Sequence, residues 1–346
     1  DDELQLLRGT SLHAVTARWK AQVDSDFGEL EGLQLPSPPE DSCLTARDAL
    51  GGFLTKEGYL WALGTVWSRF VTVEQGGRAL KAMAPVFDMF NHDPLSSTVH
   101  GFQESNQARP LLCCLHLVTL QDWAAGSEVK FSYGPLPNSR LLLLHGFCLP
   151  DNAFEAVDLL AMMEPGAPNY AAKNKILEKN GVKSSTRPFV LTSKGLDPSL
   201  LPALRVQRAT ESELKIAADQ PWGESLGARN EAEVCEVLIA ALSQMLKDRE
   251  APPPSPASRG GPIAREEEEK EGASSGSSSN SSSNTPAAQG GAAASGEGEE
   301  EGGAAQRGVL PEDRRRAIEL LREGEASVLR SCLAWIEVSK DTARRS

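Results

Sequence analysis

Val86-Phe87-Asp88-Met89-Phe90-Asn91-His92-Asp93 is a short apolar run that ends in an Asn-His pair. After a variable stretch comes Phe131-Ser132-Tyr133-Gly134-Pro135-Leu136-Pro137-Asn138-Ser139-Arg140, which continues through Leu144-His145-Gly146-Phe147. Val129, Phe131 and Tyr133 alternate with polar residues just beyond an Ala125-Gly126 turn, and a period of two predicts a strand. Asn138 is placed to cap a helix through Leu141–Leu144. Leu111–Leu120 reads as a buried strand, and Thr55–Arg69 as a helix with Leu60, Leu63, Gly64 and Trp67 at helical spacing. Trp61, Trp67 and Met89 are expected in the core. Gly51-Gly52 and Gly76-Gly77 are most simply loops. Short strands joined by loops predict a compact β-rich region before Asp151.

Beyond Asp151 the periodicity changes to that of helices. Ala171–Asn180 reads as a helix ending at Gly181, and Leu200–Arg208 as another. From Asn230 to Glu250, Val234, Leu238, Ala241, Leu242 and Met245 form one apolar stripe. Pro311 stands where a first-turn proline belongs, and Ile318, Leu321, Val328, Leu329, Cys332 and Ile336 form a second stripe. These two helices should pack as an antiparallel hairpin. Between them, 251–308 has almost no aliphatic or aromatic residues and carries nine Glu against four basic residues. Such a segment cannot offset its own ordering entropy and is expected to be disordered.

The whole chain has 346 residues, 48 Asp+Glu and 35 Lys+Arg, for a formal net charge of −13. That balance argues against nucleic acid as a partner, since phosphate neutralisation needs clustered Lys and Arg. No apolar run approaches the roughly 20 residues of a membrane span, so a soluble intracellular protein and no membrane partner are expected. The six cysteines show neither a CxxC pair nor a zinc spacing, which predicts buried free thiols and no metal. The five histidines never stand at i,i+4, and no GxSxG, HExxH or phosphate loop is present. The first residue is Asp1, which points to a processed start or a fragment.

The Asn-His and Tyr-Gly stretches together resemble the signatures of SET-domain methyltransferases, a pattern that implies an apolar strand running into Asn91-His92. Within that superfamily the helix after the tyrosine, with its L-x-x-G-F ending at Phe147, is similar to the Rubisco large-subunit lysine methyltransferase group, whose relatives include an actin histidine methyltransferase. Leu200-Leu201-Pro202-Ala203-Leu204-Arg205-Val206, Glu211–Lys215 and Arg316–Glu325 resemble that group's helical substrate-binding domain. The resemblance implies an α+β fold: a helical insert over 1–85, the C-terminal SET core over 86–150, and a helical domain over 151–346 interrupted at 251–308. It implies S-adenosyl-L-methionine as cofactor, with Tyr133 catalytic and Arg69, Asp88, Asn91, His92 and Phe147 binding the cofactor. It implies a monomer that takes a protein substrate through the helical domain, in plastid stroma, cytosol or nucleus.

Such chemistry makes plain physical demands. A lysine is about three pH units from neutrality at pH 7, a cost of roughly 4 kcal/mol. Desolvation beside a sulfonium lowers that cost, and alignment in a narrow channel supplies most of the rest. Phe70-Val71 and Phe87 lack the polar asparagine and the tryptophan of the histidine-methylating relative, which tilts the acceptor toward lysine, and a helical domain in place of a post-SET cysteine cluster favours a non-histone substrate. No G-x-G turn precedes the insert helix, so the N-terminal part of the SET fold is expected to lie outside this chain. The alternatives are a catalytically inactive relative that only binds a protein, and a histidine methyltransferase. His145 stands where relatives often have tyrosine and is assigned no role.

Overall fold

The computed structural model describes residues 2–33, 45–46, 50–103, 114–182, 188–252 and 312–345. The chain is α+β, as the resemblance implies. Helices α1 (Asp2–Leu6) and α2 (Leu12–Glu31) come first, followed by α3 (Lys56–Arg69), which begins where Thr55 accepts the Gly58 amide as N-cap. α2 lies along α3 through edge-to-face Trp19 and Trp67, centroids 4.3 Å apart, and through Phe27 and Tyr59 at 5.6 Å. Strands β1 (Phe70–Gln75) and β2 (Arg78–Met83) form a hairpin, and the Gly76-Gly77 loop has positive φ at both residues, as the tight primed turns require. β3 (Val99–Gln103) and β4 (Cys114–Val118) make a second antiparallel pair. Helix α4 (Asn138–His145) follows.

The region after Asp151 is not purely helical. β5 (Ala156–Leu159), β6 (Phe189–Thr192) and β7 (Gly195–Leu196) form an antiparallel three-stranded sheet. Helices α5 (Tyr170–Lys179), α6 (Leu200–Arg208), α7 (Glu211–Asp219), α8 (Ala228–Glu250) and α9 (Glu312–Arg345) surround it. α8 and α9 run antiparallel: Arg249 pairs with Glu325 near one end, while Cys235 feels the charge of Lys340 near the other. Val234, Leu238 and Leu242 meet Val328, Leu329, Cys332 and Ile336 in one continuous core that also holds Val157, Leu177, Leu191, Leu200 and Leu204. Each such leucine contributes about 1.5–3 kcal/mol by leaving water. All fully buried members of that cluster lie at or after Val157.

Several expectations are corrected. Asn91-His92 is preceded by a single 3-10 turn, Phe87–Met89, rather than a strand. The Phe131 segment makes only one isolated parallel bridge, to His92, because its partner turns away at Asp93. Its alternation comes from Phe131 and Tyr133 packing against His92 and Phe87, not from a ladder. β4 is half-exposed rather than buried, and residues 111–113 lie outside the described residues. Trp61 and Met89 are 74% and 72% exposed, because no described element covers them. Pro137, not Asn138, is the N-cap of α4. Of the described cysteines only Cys332 is buried. The 251–308 stretch lies outside the described residues apart from Ala251 and Pro252, as does Pro311.

One buried polar junction ties the ends of this architecture together. The Glu325 carboxylate is fully buried and takes the Arg249 Nε at 2.9 Å, the Ser11 amide at 3.2 Å and the Ser11 hydroxyl. Glu155 sits beside it, accepting from the Asn138 and Ala156 amides at 3.2 and 3.3 Å. Gly324 leaves room for that carboxyl: a Cβ there would come 2.4 Å from Glu155 Oε2. This junction anchors the start of α4, and α4 carries part of the site.

Candidate active site

The site is assembled by hydrogen bonds between the two opening motifs. The Phe131 amide donates to the Asn91 carbonyl at 3.1 Å, and the Asp93 amide donates to the Phe131 carbonyl at 3.1 Å. His92 Nδ1 accepts the Tyr133 amide at 3.0 Å, and the Tyr133 hydroxyl donates to the Phe90 carbonyl at 2.8 Å. The His92 and Tyr133 rings stack, with centroids 4.9 Å apart. His92 is therefore a support behind the tyrosine, with its Nε2 buried and unpartnered among the described residues. Asn91 Nδ2 donates to Glu128 Oε1 at 2.5 Å, and this bond holds the Glu128 carboxyl below its ordinary range.

Two helix ends complete the walls. The last turn of α3 delivers Ser68 and Arg69, and Arg69 Nη1 lies 3.2 Å from the Asp88 carbonyl and 3.4 Å from its Oδ2. At the far end of α4, Gly146 adopts a left-handed φ of 81° and its amide donates to the Leu141 and Leu142 carbonyls, with His145 and Phe147 on either side. α4 itself is fixed by Asn138, whose amide donates to the Leu149 carbonyl at 2.9 Å and whose carbonyl accepts the Leu149 amide at 2.8 Å.

Two cavities meet on this frame. One, of about 290 Å³, is walled mainly by Trp67, Phe70, Val71, Phe87, Phe90 and Phe131. The other, of about 280 Å³, is lined by Met89, Asn91 and Phe147. Both share Ser68, Arg69, Asp88, Tyr133 and His145. Five of the six residues singled out in the sequence (Tyr133, Arg69, Asp88, Asn91 and Phe147) thus line the smaller cavity, while His92 does not reach it. Burial raises the Tyr133 phenol above its ordinary value, with Asp88 adding to the shift and Arg69 opposing it, so the hydroxyl is neutral near pH 7. Burial lowers the imidazoles of His92 and His145. Among the described residues no three His, Cys, Asp or Glu side chains come together to hold a metal ion.

Sequence reading missed Ser68, Glu128 and His145. Ser68 and Glu128 enter through bonds to residues far along the chain, which no local pattern marks. His145 was visible as a departure from the family tyrosine, but only its position between the cavities gives it a place in the site.

Residues 164–250 match the family model described as Rubisco LSMT substrate-binding. The chain as a whole has the fold of the SET domain of LSMT: it superimposes on a crystal structure of that domain bound to lysine and AdoHcy with a TM-score of 0.66 and 20% identity, covering 100% of this chain and 68% of that one. A structure of Rubisco LSMT bound to AdoMet matches with a TM-score of 0.63 and 19% identity, covering 99% and 67%. The family model covers part of the helical region, and the likeness of fold extends along the chain. Among curated proteins, the actin-histidine N-methyltransferases of Gallus gallus and Homo sapiens are each 28% identical over 221 residues. That of Rattus norvegicus is 27% identical over the same length. The alignment spans 62% of this chain but only 35% of those relatives.

Proposed function

We propose that this chain belongs to an S-adenosylmethionine-dependent protein methyltransferase whose acceptor is a lysine of a non-histone protein. The observation that carries the reading is the pair of cavities sharing a five-residue wall with Tyr133 in it. Transfer between two bound molecules needs two seats that meet at one point.

The smaller cavity suits the cofactor by its donor set. Arg69 offers a cation to a carboxylate, Asp88 a carboxylate to an ammonium, Asn91 an amide, and Phe147 an aromatic face for a nucleobase. When bound there, the cofactor supplies an electrophilic methyl group. The larger, aromatic-walled cavity would take the acceptor, excluding water and orienting it against the neutral Tyr133 hydroxyl. Phe70, Val71 and Phe87 give that cavity an apolar wall suited to an alkyl chain. The helical domain would present the protein substrate.

A histidine acceptor is the second reading, favoured by the name of the 28%-identical relatives. Calorimetric titration with S-adenosylmethionine tests the common part: saturable binding that is lost in Asn91→Ala supports it, and no binding overturns it. Mass spectrometry of a methylated target then separates the two acceptors, because the label falls on lysine in the first and on histidine in the second.

A further inference from the structure

The wall shared by the two cavities carries one imidazole, and its hydrogen bonding leaves it half used. His145 Nδ1 lies 3.2 Å from the Ser68 carbonyl oxygen. A carbonyl oxygen only accepts, so Nδ1 carries the proton, and in the neutral ring Nε2 holds the lone pair. Nε2 has no hydrogen-bond partner among the described residues, and the ring lines both cavities. The ring lies 4.8 Å from that of Tyr133 and 6.2 Å from that of Phe147, centroid to centroid.

The other ionisable groups at this wall are already committed. The Tyr133 hydroxyl donates its hydrogen bond to the Phe90 carbonyl, and burial keeps the phenol neutral. Asp88 lies 3.4 Å from Arg69 and belongs to the proposed cofactor seat, and a guanidinium has no lone pair to offer. His92, beyond Tyr133, spends Nδ1 on the Tyr133 amide. His100 lines only the larger cavity, edge-on to Phe87 and Phe131 at 5.7 and 5.6 Å.

Resting on the methyltransferase reading, we propose that His145 is the proton acceptor of the site: Nε2 takes one proton from a protonated amine seated in the larger cavity. One N–H bond of the ammonium breaks and one Nε2–H bond forms. The electron pair stays on the amine nitrogen, and the positive charge passes to the imidazole, which returns the proton to water. The freed pair is what attack on a methyl sulfonium requires. Desolvation between aromatic walls and a neighbouring positive charge both weaken the ammonium's hold on its proton, bringing donor and acceptor closer in strength. Because burial lowers the imidazole below its ordinary value, the ring is neutral and able to accept at neutral pH.

Two measurements on the full chain test this. Nitrogen-15 NMR of the histidine-labelled protein should show His145 with its proton on Nδ1 and a titration below the ordinary 6.5. A proton fixed on Nε2 overturns the proposal alone. Methyl transfer from S-adenosylmethionine to free lysine, followed from pH 6 to pH 10, should fall about 100-fold at pH 7 in His145→Phe and recover to within about 3-fold at pH 10, where the amine sheds its proton unaided. A loss that is the same at every pH shows a purely structural role and overturns it. Failure of the unsubstituted chain to bind S-adenosylmethionine by calorimetry instead overturns the underlying reading, and the proposal with it.

Discussion

Val86 holds a φ of 74°, a region that β-branched residues rarely enter, on the threshold of the turn that carries Phe87 and Asp88 into the site. The residue is 71% exposed, so little packing offsets the strain. Val86→Gly should therefore stabilise the fold by about 1 kcal/mol, read as a shift in the denaturant midpoint at constant slope. An unchanged or lower midpoint would show that the valine side chain holds the turn. Tyr133 is the residue on which transfer is expected to depend. Tyr133→Phe keeps the ring stacked on His92 and beside His145 and removes only the hydroxyl. It should lower turnover by about 100-fold or more with the melting temperature within a few degrees of the parent. Full activity in that variant would remove the assignment.

At the scale of elements, legibility in the sequence followed locality. The stripes Val234–Leu242 and Leu321–Ile336 gave two helices because an i,i+4 pattern is written into the chain itself. The Leu200–Arg208 helix was read to its observed ends for the same reason. The β5–β7 sheet stayed hidden: β5 and β6 lie about thirty residues apart, and pairing partners leave no local mark. The Gly76-Gly77 hairpin was hidden differently, because a two-glycine turn gives no signal unless the flanking strands alternate, and β2 is exposed along almost its whole length. The site divided along the same line. Tyr133 and Asn91 sit in contiguous motifs, whereas Ser68 and Glu128 matter only through long-range bonds.

Helix α7 offers the element-scale test. Thr210 accepts the Glu213 amide while Glu213 returns a bond to the Thr210 amide, a reciprocal capping box. Hydrogen bonding to Arg229 pulls the Glu213 carboxyl down to about 2, and both Thr210 bonds act in the same direction. Thr210→Ala should cost about 1 kcal/mol in chemical unfolding. A neutral result would show that Arg229, which also donates to the Arg208 carbonyl at 2.9 Å, holds the helix start by itself.

For the whole molecule, stability should depend on pH through the junction. Burial raises the Glu155 carboxyl to about 7, Glu325 adds to the shift, and the amides of Ala156 and Asn138 oppose it. The folded protein therefore keeps a proton that the unfolded chain releases from about pH 4.5 upward. The resulting stability is fully present below that pH and is lost as pH rises to about 7, a change of about 3 kcal/mol. Melting temperatures between pH 5 and pH 8 should fall accordingly, and Glu155→Gln should flatten the curve over that window. An unaltered slope in the variant would place the titration elsewhere.

The same junction sets a timetable. Ser11 and Glu325 are 314 positions apart, so the clasp between them closes only after every residue between them has been made. At about 5–20 residues per second, a ribosome needs roughly 15–60 s to travel from one to the other. Throughout that interval the first helices lack their distant fastening, and a chain stopped short of Glu325 never acquires it. A nascent chain arrested before that codon should thus offer its N-terminal segment to protease far more readily than one arrested after it.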